Sequence, residues 1–592
     1  ETDARGNSTT YCYNQRGLLE KKSDAGGYTT AYYYDRGGRL IAEVSPQNYQ
    51  EGQSLSSLNR VEYTYDSMNR LKQTRNIYRD PENGQWRTVI TKTYEYDANG
   101  NITKETDALG NATTYSYNLA NQLIQVLDPV SQERGLSFST KYEYDTMGRK
   151  IAETNGNGVV TGYTYDNVGN LLQKTIAGNV VETNTYDYLG NLLSRTDGNG
   201  NTTVYSYNAL GKVRQVEEPG DESIASLTTT YQYDVKGNLA QKENSLGRVE
   251  LYTYDNQNRV LTKAVRKNDG TETITKTYRY DVNGNRCVET DGNGNVTQNT
   301  YDVLNRLVAT AKNGQTTSYT YDANGNLLTE TDWLGNTNTN VYDPINRLIE
   351  RHNPYCRIEK LKYNDNNAQV ESMDALGQVT RFEYDQNNRL IETIDPAGYS
   401  TSQTYDNAGN IATKTDGNGN TTSYTYDWGN RPLTVTNAQN ETTAYTYDLN
   451  GNMTSQQDGK GNVTTYMYNA RNLLKAKIDP QGAGNPARTE TYTYYADSNR
   501  QTMVDRNGKT TAYYYDIHGR LIRKVGGLNT ANAETISYTY DNNGNQLTVS
   551  DRTGTTVREY DGFDRVISKT VPGIGTTTYQ YDVTAGLENG FA

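Results

Sequence analysis

Only two histidines, His352 and His518, and three cysteines, Cys12, Cys287 and Cys356, occur in 592 residues. Two imidazoles offer little material for acid–base catalysis near neutral pH. Three cysteines, far apart and odd in number, are not a disulfide framework. Phenylalanine is almost missing, with 4 against 54 tyrosines, and apolar residues make up 33% of the chain, well below the usual share. A thick aliphatic core is thereby excluded. No apolar run reaches the length of a membrane-crossing helix. The 58 basic residues are dispersed and the net charge is −12, so no basic stripe offers itself to a phosphate backbone and nucleic acid is not an expected partner. No stretch keeps the spacing of an amphipathic helix, and the abundant Gly, Asn and Thr form helices poorly. Almost no helix is expected.

What is present is one phrase, Tyr-x-Tyr-Asp-x-x-Gly-Asn, returning about every 21 residues. With its second tyrosine as anchor, 26 copies run from Tyr13 to Tyr581, one of them anchored on Tyr495. Such a chain is read as a repeat array. In one copy, Thr317 to Tyr321 alternates side chains with the period of a strand, and Asp322 to Asn326 reads as a turn. Leu327 to Thr331 and Asp332 to Asn336 repeat the plan with leucine in place of tyrosine. Each repeat is therefore two strands and two turns, the Asp carboxylate accepting backbone N–H groups and Gly supplying a positive φ. The fourth residue after the anchor is Gly in 14 copies and Asn in 10, with Asp564 and Ala585 the exceptions. That choice predicts a left-handed residue in every copy. Paired tyrosines such as Tyr63 and Tyr65 share a strand face and predict a stacked aromatic ladder.

The expected fold is all-β, one array of tandem β-hairpins over residues 1–592 with no separate domain, because each unit packs on its neighbours. Disorder does not fit aromatic residues at 10% and fixed spacing. The chain starts and stops inside weakened repeats, which reads as an excerpt of a longer polypeptide. Seven intervals exceed 21 residues. Their extra segments include Ser45 to Asn59, Asp80 to Gly84, Asp128 to Gly135, Glu218 to Asp221 and Asp479 to Pro486, and predict protruding loops, tolerated at a sheet rim rather than selected for a partner.

Candidate chemistry is thin. His352 and Cys356 lie in one irregular segment, but two ligands fall short of the three or four that zinc requires. His518 stands in a turn. Asp291, Asn293 and Asn295 place oxygens as a calcium loop begins, yet Val296 stands where its glycine belongs, and turn chemistry explains the same letters. Tyrosine rows suit the flat faces of sugars, though rings stacked on one another account for the same pattern. No catalytic, cofactor-binding or metal-ligating residue is assigned, and no cofactor.

Phrases such as Tyr-Thr-Tyr-Asp-Ala-Asn-Gly-Asn-Leu-Leu at 319–328 and Tyr-Thr-Tyr-Asp-Asn-Val-Gly-Asn-Leu-Leu at 163–172 resemble the YD-repeat or RHS-repeat family, and the match extends over essentially the whole chain. Members include bacterial Rhs toxins, the B and C components of Tc toxins, wall-associated proteins and, more distantly, teneurins. The resemblance implies a spiralling, solenoid-like sheet that walls a hollow shell, secreted or at the surface of a bacterium. It implies a non-catalytic scaffold whose partner is a protein cargo or flanking parts of the same polypeptide. A cell-surface adhesion or glycan-binding module and a filament built by self-association through open strand edges are the alternatives. The family's self-cleaving segment has no counterpart, since Asp395-Pro396-Ala397-Gly398 and Asp479-Pro480-Gln481-Gly482 read as repeat turns. About 52 strands at roughly 4.8 Å give a length on the order of 250 Å, about one and a half turns around a cavity roughly 50 Å across.

Overall fold

The computed structural model describes residues 1–266, 270–355, 357–480 and 488–581. They form one antiparallel sheet of 51 strands. Each strand pairs with the strands before and after it in sequence, as Gln315–Tyr321 pairs with Leu327–Thr331 and that strand with Thr337–Tyr342. The only helices among the described residues are the 3-10 turn Leu55–Ser57 and the five-residue α-helix Pro129–Glu133. The alternating pattern and the turn residues leave the backbone no other regular choice.

The turn after each anchor tyrosine, the anchor turn, is built from its first residue. Asp322 Oδ1 accepts the backbone N–H of Asn324 at 2.9 Å and of Asn326 at 2.8 Å. The Gly325 N–H closes the turn on Asp322 O, and Gly325 has φ +93°. One extra residue then enters the second strand, because Thr320 pairs with Thr329 but Tyr321 with Leu327. This is a turn followed by a left-handed residue and a bulge. Positive φ recurs at the fourth position of every described copy, on glycines, asparagines, Asp564 and one serine; Ala585 lies outside the described residues.

That serine corrects the alignment of one repeat. The strand is Thr489–Tyr494, Tyr495 accepts from Ser498 as the aspartates do elsewhere, and Ser498 has φ +68°. The anchor is Tyr494, with Tyr495 in the Asp position. Two adjacent tyrosines made the register ambiguous in the sequence.

The anchors do not stack into an aromatic ladder. Among the described residues the one ring pair in contact is Tyr495 with Tyr515, edge to face at 6.2 Å. Consecutive anchors are two strands apart, roughly 9.6 Å, too far for ring contact. Most of their hydroxyls instead reach back to the preceding repeat: Tyr321 donates to Leu307 O, Tyr363 to Leu348 O and Tyr384 to Gln369 O, all at 2.8 Å. The acceptor is the residue that pairs across the bulge with the preceding anchor. Phenylalanine cannot make this bond, which accounts for its scarcity.

The sheet winds back on itself. Hydrogen bonds join residues 246 to 300 positions apart along its length. The turn Asp3 to Asn7 meets the turn at Asn283, so the strands from Thr10–Tyr13 to Glu272–Tyr280, 23 in number, make one circuit. At roughly 4.8 Å per strand the circuit is about 110 Å around and about 35 Å across. The 51 strands complete two windings, more than the expected one and a half, because the circuit is tighter.

The lengthened second turns do not simply protrude. Asn48 donates to Pro344 O at 2.8 Å, Arg87 pairs with Asp365 at 2.5 Å, Arg134 donates to Asn407 Oδ1 at 2.8 Å, and Ser223 O accepts the Tyr494 N–H at 2.8 Å. All four are contacts with the next winding. The first of these loops also covers a small apolar core of Ala31, Val44 and Leu58. Residues 481–486 of the loop after Asp479 lie outside the described residues.

Candidate functional site at the turn rims

All anchor turns lie on one rim of the winding sheet and all second turns on the other, because odd strands run one way and even strands the opposite way. Two versions of the anchor turn recur along their rim, among others such as Gly148-Arg149 and Asn367-Ala368. In one, a left-handed Asn is followed by arginine, as at Asn69, Asn305 and Asn346. Arg306 donates Nε to Asp302 Oδ2 at 2.7 Å, its other nitrogen reaches Asp322 O in the next turn at 3.0 Å, and the guanidinium lies 4.9 Å from the Tyr321 ring. In the other, a left-handed Gly is followed by asparagine, as at Gly100, Gly284 and Gly325. Asn326 donates to Asp322 Oδ2 at 2.8 Å and to Asn346 Oδ1 of the next turn at 3.0 Å. In both of these examples the side chain ties its turn to the one after it.

The second turns of the first winding meet the anchor turns of the second winding through the third residue of each turn. Asn450 donates to Asp197 Oδ2 at 2.6 Å, and Asn199 returns a bond to Asp448 Oδ2 at 2.9 Å. The same reciprocal clasp joins Asn543 to Asp291 and Asn293 to Asp541, each at 2.9 Å. Asn366 reaches Asp107, and Asn157 reaches Asp406. At two of these turns the approach is close enough to require glycine, although Ala108 stands at the same position beside Asn366. A Cβ on Gly292 would stand 2.8 Å from Asn542 O, and one on Gly198 would stand 2.7 Å from Leu449 Cβ.

These bonds set the charge state of the seam. Burial pushes the Asp291 carboxyl up, but the amides of Asn295 and Asn543 outweigh it and hold the group below its ordinary value. The same balance lowers Asp541 through Asn545 and Asn293, and Asp406 through Asn410 and Asn157. At Asp3 burial is overcome by Asn7 and Asn283, and the value falls to about 2. Both carboxylate oxygens of Asp291 accept from N–H donors, so the calcium-like spacing is spent on the turn and the clasp. Among the described residues no group of three or more His, Cys, Asp and Glu is placed to hold a metal ion. His352 bonds Glu350 at 3.0 Å, while Cys356 lies outside the described residues. His518 sits in an anchor turn whose carbonyl accepts from Arg248 of the first winding. No described helix is long and apolar enough to cross a membrane.

Sequence reasoning found the turns but missed the clasp. The second glycine of Asp-Gly-Asn-Gly-Asn at 197–201 and 291–295 does not mark the clasp by itself, because 416–420 carries the same residues away from the seam.

The family model described as RHS Repeat matches ten segments, residues 13–49, 96–133, 186–222, 233–272, 301–337, 363–401, 384–421, 405–442, 428–463 and 447–483, together just over half of the chain. The Teneurin YD-shell model matches residues 496–589. The crystal structure of TcdB2-TccC3 is similar in fold over 96% of this chain and 40% of that one, with TM-score 0.60 and 15% identity. The Tc holotoxin pore of Photorhabdus luminescens is similar over 94% and 30%, with TM-score 0.55 and 16% identity. The tRNA nuclease WapA of Bacillus subtilis strain 168 is 32% identical over 136 residues, 23% of this chain and 5% of WapA. The tRNA3(Ser)-specific nuclease WapA of Bacillus spizizenii is 31% identical over the same shares. The chain spans a small part of each relative's length.

Proposed function

The chain belongs to the RHS-repeat family, and from that membership we propose that its two windings form part of the wall of a hollow shell enclosing a protein cargo. It is a structural repeat scaffold. The observation that carries the reading is the seam: a sheet that only had to be long would not need clasps every few turns between windings. A wall that must hold molecules in or out does. Similarity in fold to the Tc toxin structures supports the same geometry. The likeness to WapA covers 5% of that nuclease, which fits shared repeats, so the chemistry of a toxic cargo would reside in another part of the polypeptide or in a partner. On this reading the shell works outside the cell that makes it.

The test is cryo-electron microscopy of the complete polypeptide carrying these repeats, with limited proteolysis of the same sample. Density within the windings, together with a cargo segment that resists protease, is the expected result. An empty lumen with a freely digested cargo segment would sink the proposal.

A further inference from the structure

The asparagines of the two reciprocal clasps share a chemical neighbour. Asn199, Asn293, Asn450 and Asn543 are each followed by glycine, whose N–H bonds the carbonyl of the first turn residue. Asparagine is among the thermolabile residues. Glycine has no Cβ to shield its nitrogen, so in an Asn-Gly pair the main-chain nitrogen attacks the preceding side-chain amide with least hindrance. The clasp does not need the pair, since Asn366 reaches Asp107 with Asn367 as its left-handed residue. What stands between the four amides and this reaction is the seam. Asn543 Nδ2 is held by Asp291 Oδ2 at 2.9 Å, and its Oδ1 accepts the Asn293 N–H at 3.1 Å. Asn293 is held in the same way by Asp541 Oδ2 at 2.9 Å and the Asn542 N–H at 3.1 Å. An amide pinned at both atoms cannot turn its carbon toward the glycine nitrogen. Water is at hand, because Asn199 and Asn293 are exposed.

We propose that these four asparagines are sites of spontaneous deamidation gated by the clasp, and that the reaction unlocks the seam in one direction. The glycine nitrogen bonds to the asparagine Cγ, the Cγ–Nδ2 bond breaks, and the proton of the glycine nitrogen leaves with it as ammonia. Water then opens the five-membered imide at one of its two carbonyls, leaving aspartate or its β-linked isomer. The net change is one water consumed and one ammonia released. Either product is wrong for the seam. An aspartate at 450 sets a carboxylate where Asn450 Nδ2 now lies 2.6 Å from Asp197 Oδ2, and two carboxylates that close cannot both stay ionised. The β-linked isomer adds a carbon to the turn and draws the Gly451 N–H away from Asp448 O. Once one side has reacted, the reciprocal amide, here Asn199 on Asp448, is released to react in turn. The inference stands on the seam alone, whatever the windings enclose.

Site-resolved mass spectrometry of the 592-residue chain, incubated at mildly alkaline pH, follows each amide. Asn83, exposed and followed by Gly84, is the internal reference. Conversion at Asn293 and Asn543 should run at least about ten-fold slower than at Asn83, because two hydrogen bonds per amide must break first, each a factor of about five. Gly292→Ala, whose Cβ would stand 2.8 Å from Asn542 O, should bring Asn293 and Asn543 toward the rate of Asn83 while Asn199 and Asn450, in the other clasp, stay slow. Urea below the unfolding midpoint opens the clasps without a substitution and should speed all four sites, which decides the matter should the variant not fold. Chains carrying the product at 450, separated by ion exchange, should exchange the amides of residues 448–452 faster than unconverted chains, as should Asn450→Asp. Equal rates at Asn83 and the seam sites of the unaltered chain would overturn the gating. Seam asparagines that stay intact in both Gly292→Ala and urea would overturn the sites themselves, and unchanged exchange after conversion would overturn the release.

Discussion

At the scale of the residue, the tyrosine anchor combines two roles that the composition alone separates poorly. Its ring fills the gap between strands, and its hydroxyl holds the preceding repeat at its bulge. Tyr384 donates to Gln369 O at 2.8 Å, and burial raises its pKa. Tyr384→Phe keeps the ring and removes one hydrogen bond, a loss of about 1 kcal/mol. Amide exchange in Gln369–Met373 and Val379–Tyr384 should then accelerate about five-fold, with distant strands unchanged. Unaltered exchange would mean the hydroxyl is equally content in water. Ser498 poses the reverse case, an L-residue at φ +68° where other described copies hold Gly, Asn or, at 564, Asp. Ser498→Gly should raise stability by about 0.5–1 kcal/mol, because the relief of left-handed strain exceeds the added freedom of the unfolded chain. The urea midpoint reads this directly.

At the scale of the element, the two turns of a repeat look alike but are under different constraints. Anchor turns are never lengthened, since their Arg and Asn side chains must reach the next turn on the rim. Second turns accept insertions, and in the first winding these reach across to the second. Glycine at the seam is therefore a matter of position and not of turn type. Gly292→Ala should lower the melting temperature, as its Cβ would meet the backbone of Asn542 at 2.8 Å. In Gly417 of the same turn sequence the Cβ would meet only the Tyr399 side chain, at 3.1 Å, and Gly417→Ala should have little effect. The seam also titrates. Asp291, Asp406 and Asp541 have folded-state pKa values below the ordinary 3.8, so their contribution is complete above that pH and is lost as pH falls through the lowered values, toward about 2 at Asp3. Seam amides should lose exchange protection below pH 3.8 before strand amides do, and Asn293→Ala with Asn543→Ala should flatten that acid limb. Strands, turns and the left-handed residue were legible in the sequence because they are local and repeat many times. The clasp between Asp291 and Asn543 was not, because it joins residues 252 positions apart and no local rule reports how tightly a sheet winds.

At the scale of the whole molecule, the winding number decides whether the array behaves as a one-dimensional stack. In a pure stack each repeat contacts only its neighbours, and deleting any one repeat removes the same stability wherever it lies. The seam breaks that equivalence. Removing residues 322–342 joins Tyr321 to Asp343 with every local junction intact, but it shortens the circuit by two strands. Each anchor turn downstream then moves by one place along the rim. Asn366 leaves Asp107, Asn450 leaves Asp197 and Asn543 leaves Asp291. Turns still stand over turns, yet the glycine at 198 no longer faces Leu449 and the loop at Ser223 no longer faces Tyr494. Removing residues 561–581 deletes a repeat of the same length and leaves those pairs in place. The internal deletion should therefore cost several kcal/mol more than the terminal one, at about 1 kcal/mol for each lost clasp bond, and unfold at a lower urea concentration. Equal midpoints for the two deletions would show that the seam bonds merely replace bonds to water, and that neighbour packing alone holds the spiral.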